Sequence, residues 1–225
     1  LIAGLYAAFG VVSALRARDL TGRGQRVESA MMSTMISMFA FLASDYLATG
    51  ELPLKTGNDH PIASPYGLFR ASDGEIAVAP STESILRRLL ALLGIEEILE
   101  LPRFATNDQR LLNRKELNEL INQRLSSDTQ AYWINRLNAA GVPCGKVQDI
   151  GQALADPQMV HQEMVMEVEH PGHGPVKMLG FPVKLSRTPC VVRHPAPRHG
   201  EHTAEILAEL AGRDGGSGPG PTTSR

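Results

Sequence analysis

The sequence has few cysteines, almost no net charge and no long uninterrupted apolar stretch. Its two cysteines are Cys144 and Cys190. Two cysteines exclude a disulfide-rich scaffold and fit a reducing cytosol, so we expect a cytoplasmic protein. The 22 basic and 24 acidic residues leave a net charge of −2, which gives no indication of a nucleic-acid or membrane partner. No apolar run of about 18 residues lacks polar interruptions, so no membrane-spanning helix is predicted.

Motifs for several common chemistries are also missing. The sequence holds no Walker loop, no HExxH helix and no cysteine pair at metal-ligand spacing, so we predict no P-loop and no metal site. Thr21–Gly24 contains glycines but follows a predicted helix instead of a strand, so it is not a dinucleotide fingerprint. We interpret it as a turn that ends the helix, with Arg23 able to reach a phosphate. Cys144 has no neighbouring base in the sequence and is interpreted as structural.

Apolar residues are plentiful, at 43% of the chain against 20% charged residues, which is enough for a core. The clearest pattern is at the start, where apolar side chains recur every three or four residues and predict a helix over Ile2–Leu20. Alanines and glycines fill much of its other side, and a helix that is apolar nearly all round is typically buried. Gly22 is predicted to end this helix.

The next stretch predicts a second helix, a linker and a hairpin. A stripe of methionines indicates a helix over Ala30–Leu47 that packs in the core. Residues 49–65 hold glycine, proline, Asn and Asp without periodicity, and we predict a domain boundary there. Two short strands, Tyr66–Arg70 and Glu75–Ala79, flank Ser72-Asp73-Gly74, whose Asp-Gly pair is typical of a hairpin turn.

The remaining pattern alternates between helices and hairpins, which indicates an α+β arrangement. The predicted helices are Ser81–Leu93 with Ser81 as N-cap, a helix to Leu125 capped by Thr106 or Asn107, Thr129–Ala140 capped by Asp128 or Ser127, Gln148–Ala155, Pro157–Gln162 and Glu201–Leu210. The predicted strands are one near Cys144–Val147, a hairpin of Met164–Glu169 and Val176–Leu179, and one over Val183–Ser186. Residues 212–225 are expected to be disordered.

Several short motifs also occur in a fixed order along the chain. They are Thr21–Gln25 with Val27 and Ser29, Gly57–Pro61, Ser64–Phe69, Asp73-Gly74, Ala140–Gly145 and Gly200–Thr203. Together they resemble the class III CoA-transferase family, the CaiB/BaiF group. That group includes formyl-CoA transferases, carnitine CoA-transferases and α-methylacyl-CoA racemases. The resemblance covers the chain from Leu1 to about Leu210.

The resemblance implies an α/β plus α+β fold, with part of a Rossmann-like large domain and a smaller α+β domain. Residues 1–49 would belong to the large-domain core, and residues 190–211 would return to it as a segment and a helix. Residues 50–65 would form the linker loop, and residues 66–189 the small domain. Family members form dimers of interlocked rings, so a homodimer is expected of the full-length protein.

The same resemblance implies an enzyme that transfers CoA between an acyl-CoA thioester and a carboxylic acid, with no permanently bound cofactor. Its catalytic aspartate would stand immediately before Leu1 and would react through an anhydride and an aspartyl-CoA thioester. We therefore interpret the chain as the C-terminal portion of a longer enzyme and expect it to be inactive alone. The alternatives are an α-methylacyl-CoA racemase that moves an α-proton, and a non-catalytic remnant or assembly partner.

Substrate or CoA contacts are expected in the first helical turn and in the linker loop. The predicted residues are Gly4, Asn58, His60, Ala63, Ser64, Pro65 and Tyr66. Amides of such a loop can stabilise an oxyanion or close over an intermediate, and His60 can titrate near neutral pH. Ile62-Ala63-Ser64 stand where formyl-CoA transferases carry a glycine run over the active site. The alternative is a solvated interdomain linker with His60 on its surface.

Overall fold

The computed structural model describes residues 1–214. By their contacts these residues form two compact units, one from Leu1 to Val147 and one beginning at Gln148. The mixture of helices and sheets agrees with the predicted fold class. Both described sheets are antiparallel, so a parallel, Rossmann-like sheet is not among residues 1–214. The predicted domain boundaries near residues 49, 65 and 189 stay predictions.

Helix α1, Ile2–Thr21, begins and ends almost where the sequence predicts. Gly22 adopts a left-handed conformation with φ of 72° and donates its N–H to the carbonyl of Arg18, which ends the helix. The expectation that α1 is buried is wrong for this chain, because none of its residues is buried. Its main neighbouring element is the short helix α2, Met31–Ser37, and this leaves most of its apolar surface uncovered.

The predicted single helix over Ala30–Leu47 is also wrong, because the chain breaks it into α2 and α3, Phe41–Thr49. The break is at Ala40, which has φ of 45°, and the two helix axes differ by 82°. The methionines of this stretch lie on the surface instead of in the core. No single helix within residues 1–214 is long and apolar enough to cross a membrane. The bent pair of α2 and α3, taken together, has the length and apolar composition of a membrane span.

A three-stranded antiparallel sheet follows, in the order β1-β2-β3. Strands β1, Gly67–Ala71, and β2, Gly74–Val78, form the predicted hairpin. Asp73 Oδ1 accepts a hydrogen bond from the backbone N–H of Gln130 at 2.7 Å, which attaches the hairpin turn to a later helix. Strand β3, Cys144–Lys146, pairs with β2 on the other side.

Four helices and a 3₁₀ helix belong to the same unit. They are α4, Glu83–Leu92; the 3₁₀ helix, Glu96–Glu100; α5, Asn107–Leu112; α6, Arg114–Leu125; and α7, Gln130–Ala139. Among them, α6 and α7 contact the sheet. The predicted cap Thr106 is confirmed, whereas α4 and α7 are capped by Thr82 and Thr129 instead of Ser81 and Asp128 or Ser127. The helix predicted to run to Leu125 is interrupted at Asn113.

The core lies between this sheet and these helices. Its buried hydrophobic residues are Phe69, Ala71, Ile76, Val78, Leu86, Leu89, Leu90, Leu93, Ile95, Ile98, Leu99, Phe104, Leu117, Ile121, Leu125, Trp133, Leu137 and Val142. The buried Trp133 also donates its indole N–H to the Leu125 carbonyl at 2.7 Å, so its polar atom is satisfied. The first unit therefore has its core between residues 69 and 142.

The second unit contains two short helices, a hairpin and a final helix. They are α8, Ile150–Leu154; α9, Pro157–His161; β4, Val165–His170; β5, Gly174–Leu179; and α10, Thr203–Asp214. The hairpin is confirmed, but the strand predicted over Val183–Ser186 is wrong because these residues join no ladder. Helix α10 takes in residues 212–214 of the predicted tail, and residues 215–225 lie outside the described part of the chain.

Candidate functional site

The loop of residues 56–66, between α3 and β1, is the candidate site, and we call it the His60 loop. The His60 ring stacks between two aromatic rings, with centroid distances of 5.8 Å to Phe41 and 4.7 Å to Tyr66. The His60 N–H also donates to the Tyr66 carbonyl at 2.8 Å. These contacts do not fit the alternative of a solvated linker with His60 on its surface, because the ring is half-buried between its neighbours.

Polar side chains on one face of α5 and α6 hold the His60 loop. They are Asn107, Arg110, Arg114 and Asn118, and we call them the polar clamp. The Asn107 side chain binds two backbone groups of the loop, donating to the Ile62 carbonyl at 2.9 Å and accepting from the Ser64 N–H at 3.2 Å. Within each helix, a spacing of three or four residues places the two clamp side chains on one face, and both faces contact the loop.

Arg110 is the most buried member of the clamp, with 3% of its surface exposed. Its Nε donates to the Ser64 carbonyl at 2.8 Å, and its Nη1 donates to the Phe104 carbonyl at 3.0 Å. Its Nη2 donates to the Glu83 carboxylate at 2.9 Å. A buried guanidinium is costly unless it is paired and hydrogen-bonded, and here each of its nitrogens has a partner.

The other half of the clamp acts on Asp59 and His60. Arg114 donates to the His60 carbonyl at 2.8 Å, and Asn118 donates to Asp59 Oδ1 at 3.1 Å. A Cβ added to Gly67 would lie 2.6 Å from the same Asp59 oxygen and 3.0 Å from the Asn58 carbonyl oxygen. Glycine at position 67 therefore permits the loop to approach β1 closely.

A cavity of about 380 Å³ lies beside the His60 loop. On one side it is lined by the loop, and on the other by residues 80–82 and by Glu83 and Leu86 of α4. Asn107 and Arg110 of the clamp complete the lining. The start of α4 favours an anionic group through its backbone N–H groups. However, Thr82 already accepts from the Ile85 N–H there, and the Glu83 carboxylate lines the same cavity in a pair with Arg110. The space is large enough for a small organic acid or an acyl group.

The hydrogen bonds of His60 assign its tautomer. The Ile62 N–H donates to His60 Nδ1 at 3.3 Å, so the neutral ring carries its proton on Nε2. The neutral imidazole can therefore donate a hydrogen bond through Nε2. The buried Ser64 hydroxyl has no hydrogen-bond partner among residues 1–214.

The structure brings some of the predicted site residues together and separates others. His60, Ala63, Ser64 and Tyr66 line the cavity, and the buried Pro65 lies next to them in the chain. Asn58 is exposed on the loop and does not line the cavity. Gly4 is exposed in the first turn of α1 and does not line the cavity either. The role of all seven residues as substrate or CoA contacts stays a prediction.

Sequence reasoning missed the polar clamp because its members lie 43 to 59 residues along the chain from their partners in the loop. One signal was present in the sequence. In the sequence, Arg110 is spaced by whole helical turns from Leu117, Ile121 and Leu125, which are all buried. A charged residue in phase with a buried face requires a partner, so Arg110 could have been identified as an internal anchor.

One of the ordered motifs, Thr21–Gln25 with Val27 and Ser29, is explained by its contacts with α1. The Ser29 hydroxyl donates to the Ala3 carbonyl at 2.9 Å, and a Cβ on Gly10 would lie 2.8 Å from Val27 Cγ1. The segment after the Thr21–Gln25 turn is therefore packed back along α1.

At Cys144, burial raises the pKa of the thiol, which disfavours the nucleophilic thiolate. Within residues 1–214, no three His, Cys, Asp or Glu side chains could together hold a metal ion.

Comparison with known proteins gives consistent matches over most of the chain. A sequence model of CoA-transferase family III matches residues 1–203. The succinyl-CoA:glutarate CoA-transferase of Homo sapiens is 29% identical over 210 residues, which are 93% of this chain and 48% of that protein. The acetyl-CoA:oxalate CoA-transferase of Acetobacter aceti is 30% identical over 212 residues, 94% of this chain and 53% of that protein.

Solved structures give the same result for the fold. A CaiB/BaiF family protein from Brucella suis superimposes with a TM-score of 0.73 at 33% identity, over 93% of this chain and 54% of that one. The chain thus spans about half the length of the relatives that it matches.

Proposed function

Since the chain belongs to CoA-transferase family III, we propose that the complete protein transfers CoA from an acyl-CoA thioester to a carboxylic acid. The observation that carries the proposal is the family match over residues 1–203, together with relatives that are named CoA-transferases. Acyl-CoA and a carboxylate would be its substrates, and no cofactor would be held permanently. A homodimer and a cytoplasmic location are part of the same proposal.

The proposed mechanism is nucleophilic catalysis by an aspartate immediately before Leu1, outside residues 1–225. Its carboxylate attacks the thioester carbonyl, expels CoA thiolate and forms a mixed anhydride. The thiolate then attacks the aspartyl carbonyl, which releases the donor acid and leaves an aspartyl-CoA thioester. The acceptor carboxylate then attacks the aspartyl-CoA thioester, expels CoA thiolate and forms a second mixed anhydride. The thiolate attacks the acceptor carbonyl of this anhydride, which releases the free aspartate and the new acyl-CoA.

Helix α1 supports this position for the nucleophile. It begins at Ile2, and its first turn contains no acidic residue. Free N–H groups at the start of a helix stabilise an adjacent carboxylate and an oxyanion that develops beside it. Gly4 would contribute by leaving the backbone of this exposed turn without a side chain.

The cavity beside the His60 loop would receive the acid. In its neutral form His60 would donate from Nε2 to the acid, and Ala63, Ser64 and Tyr66 would shape the space around it. Asn58 would act from the exposed end of the loop, and Pro65 would act by holding Ser64. This role is supported by the lining of the cavity and by the polar groups that converge on the loop.

The test uses the complete gene product with a panel of acyl-CoA donors and of mono- and dicarboxylic acceptors. We expect exchange of CoA with at least one pair, and an enzyme adduct with the donor alone that hydroxylamine cleaves. Absence of both with every donor would refute the proposal. Deuterium incorporation at the α-carbon without CoA exchange would instead indicate a racemase. Residues 1–225 expressed alone should show no exchange.

A further inference from the structure

Arg110 connects the two sides of the cavity. Its Nε binds the Ser64 carbonyl of the His60 loop, and its Nη2 binds Glu83 in the first turn of α4. Its Nη1 binds the Phe104 carbonyl just before α5. Three separate segments therefore meet at one guanidinium group. The width of the cavity depends on how these segments are held relative to one another.

The geometry of these bonds requires arginine. A guanidinium presents its donors in a rigid planar fork, whereas a lysine ammonium is a single point charge on a flexible stem. A lysine at position 110 could satisfy one or two of the three acceptors but could not hold all of them in this arrangement. The neighbouring Asn107 binds Ile62 and Ser64 of the loop but does not reach α4.

Because each Arg110 nitrogen already has a protein partner, and its side chain is 4% exposed, it is not free to bind an acid. We propose that Arg110 is a positioning residue for the acid-binding cavity, joining the His60 loop to the first turn of α4. The inference rests on the proposed function, since it assigns Arg110 to the site that would receive the acceptor acid. It also makes the His60 loop a preformed wall of the site instead of a mobile lid.

The test compares three variants of the complete protein. Arg110→Lys keeps the positive charge and removes the planar set of guanidinium donors. Glu83→Gln keeps an oxygen that can still accept from Nη2. Arg103→Lys is the matched control, because Arg103 also makes an arginine–carboxylate pair, with Glu116 at 3.0 Å, but the pair is half-exposed and does not touch the loop.

Two measurements follow each variant. The first is amide hydrogen exchange of peptides covering residues 57–66. In Arg110→Lys we expect exchange in this loop to increase roughly tenfold or more, since the charge-assisted hydrogen bond from Nε holds Ser64 of the loop in place. The peptides of the sheet and of α6 should keep their wild-type exchange rates. Arg103→Lys should leave the loop unchanged.

The second measurement is steady-state CoA transfer with varied acceptor acid. In Arg110→Lys we expect the acceptor KM to rise about tenfold, with kcat changed less than about threefold. Less rigid cavity walls weaken binding of the acid more than they slow the chemical step. Glu83→Gln should give a smaller rise in KM. A merely structural role would lower the amount of active enzyme, and hence the apparent kcat, without changing KM.

The outcomes separate the two proposals. Unchanged exchange in the loop of Arg110→Lys would overturn the positioning role, and so would faster loop exchange with an unchanged acceptor KM. A wild-type protein without any CoA transfer would refute the proposed function. The exchange measurement alone would then decide whether Arg110 holds the loop.

Discussion

Residues 66–147 and residues 1–49 are both rich in apolar side chains, yet they differ completely in burial. Within residues 1–212, the buried hydrophobic core lies entirely between Phe69 and Val142. Among residues 1–49, Thr34 alone is buried, while the apolar residues of α1, α2 and α3 are exposed or half-buried. An apolar face gains free energy only when another layer covers it. The later region has a sheet and helices that cover each other, whereas α1 is covered mainly by the short α2.

In the burial of its residues, the second unit, taken by itself, resembles residues 1–49 more than residues 66–147. None of residues 148–212 is buried. Its hairpin alternates between exposed and half-buried positions along β4, as a strand with one partly covered face does. The comparison teaches that hydrophobic periodicity identifies an element and its face, but does not tell whether the same chain covers that face.

The largest expected effect tests this contrast directly with two leucines. Leu117 is fully buried in α6, and Leu5 is 62% exposed in α1. In this chain we expect Leu117→Ala to lower the free energy of unfolding by about 2–5 kcal/mol, through lost transfer energy and a cavity. Leu5→Ala should change it by less than about 0.5 kcal/mol. Urea unfolding followed by circular dichroism measures both.

Equal losses in the two leucine variants would contradict the contrast. That result would mean that α1 is covered as well as α6 is. A greater sensitivity of Leu5→Ala in the complete protein than in this chain would show that α1 is covered there, by other segments of the protein or by a partner subunit.

An intermediate effect distinguishes the two candidate caps of α4. The Thr82 hydroxyl accepts from the Ile85 N–H at 3.3 Å, although the sequence favoured Ser81. Thr82→Ala should therefore cost about 1 kcal/mol in the free energy of unfolding. Ser81→Ala is the control and should cost less than about 0.5 kcal/mol. A reversed order in thermal or urea unfolding would place the helix start one residue earlier.

The smallest effect concerns the two thiols, one in each unit. Burial raises the pKa of the Cys144 thiol, whereas Cys190 is exposed. The folded state thus disfavours the Cys144 thiolate, so stability from this group is present below the ordinary thiol pKa of about 8.5 and declines as pH rises above it. We expect iodoacetamide to alkylate Cys144 several-fold more slowly than Cys190 at pH 8. Mass spectrometry of the labelled peptides measures the ratio, and equal rates would contradict the prediction.

Local signals predicted much of the fold correctly. The Asp73-Gly74 turn, the Gly22 helix end and the Thr106 cap act through backbone groups a few residues away, so the sequence carries them almost alone. The break at Ala40 was missed because neither glycine nor proline marks it. Alanine rarely adopts positive φ, so this conformation depends on the surrounding structure.

The candidate site also has a part that local signals predicted and a part that they did not. Its loop was predicted from composition and from the ordered motifs, and His60, Ala63, Ser64 and Tyr66 do share one cavity. Gly4 and Asn58 lie outside that cavity, because α1 and the exposed end of the loop do not contribute to its lining. The clamp residues that hold the loop could not be read from local pattern, since their partners are dozens of residues away.

By itself, the sequence determined the family, the hairpins, most of the helix ends and the loop in which His60 lies. These features depend on turn chemistry, periodicity and the order of motifs, which are all local or collinear with the chain. The tertiary structure alone decided which apolar faces are buried and how Arg110, Asn107, Arg114 and Asn118 hold that loop. Burial and long-range hydrogen bonding depend on what lies opposite a residue in space, and no local pattern specifies that.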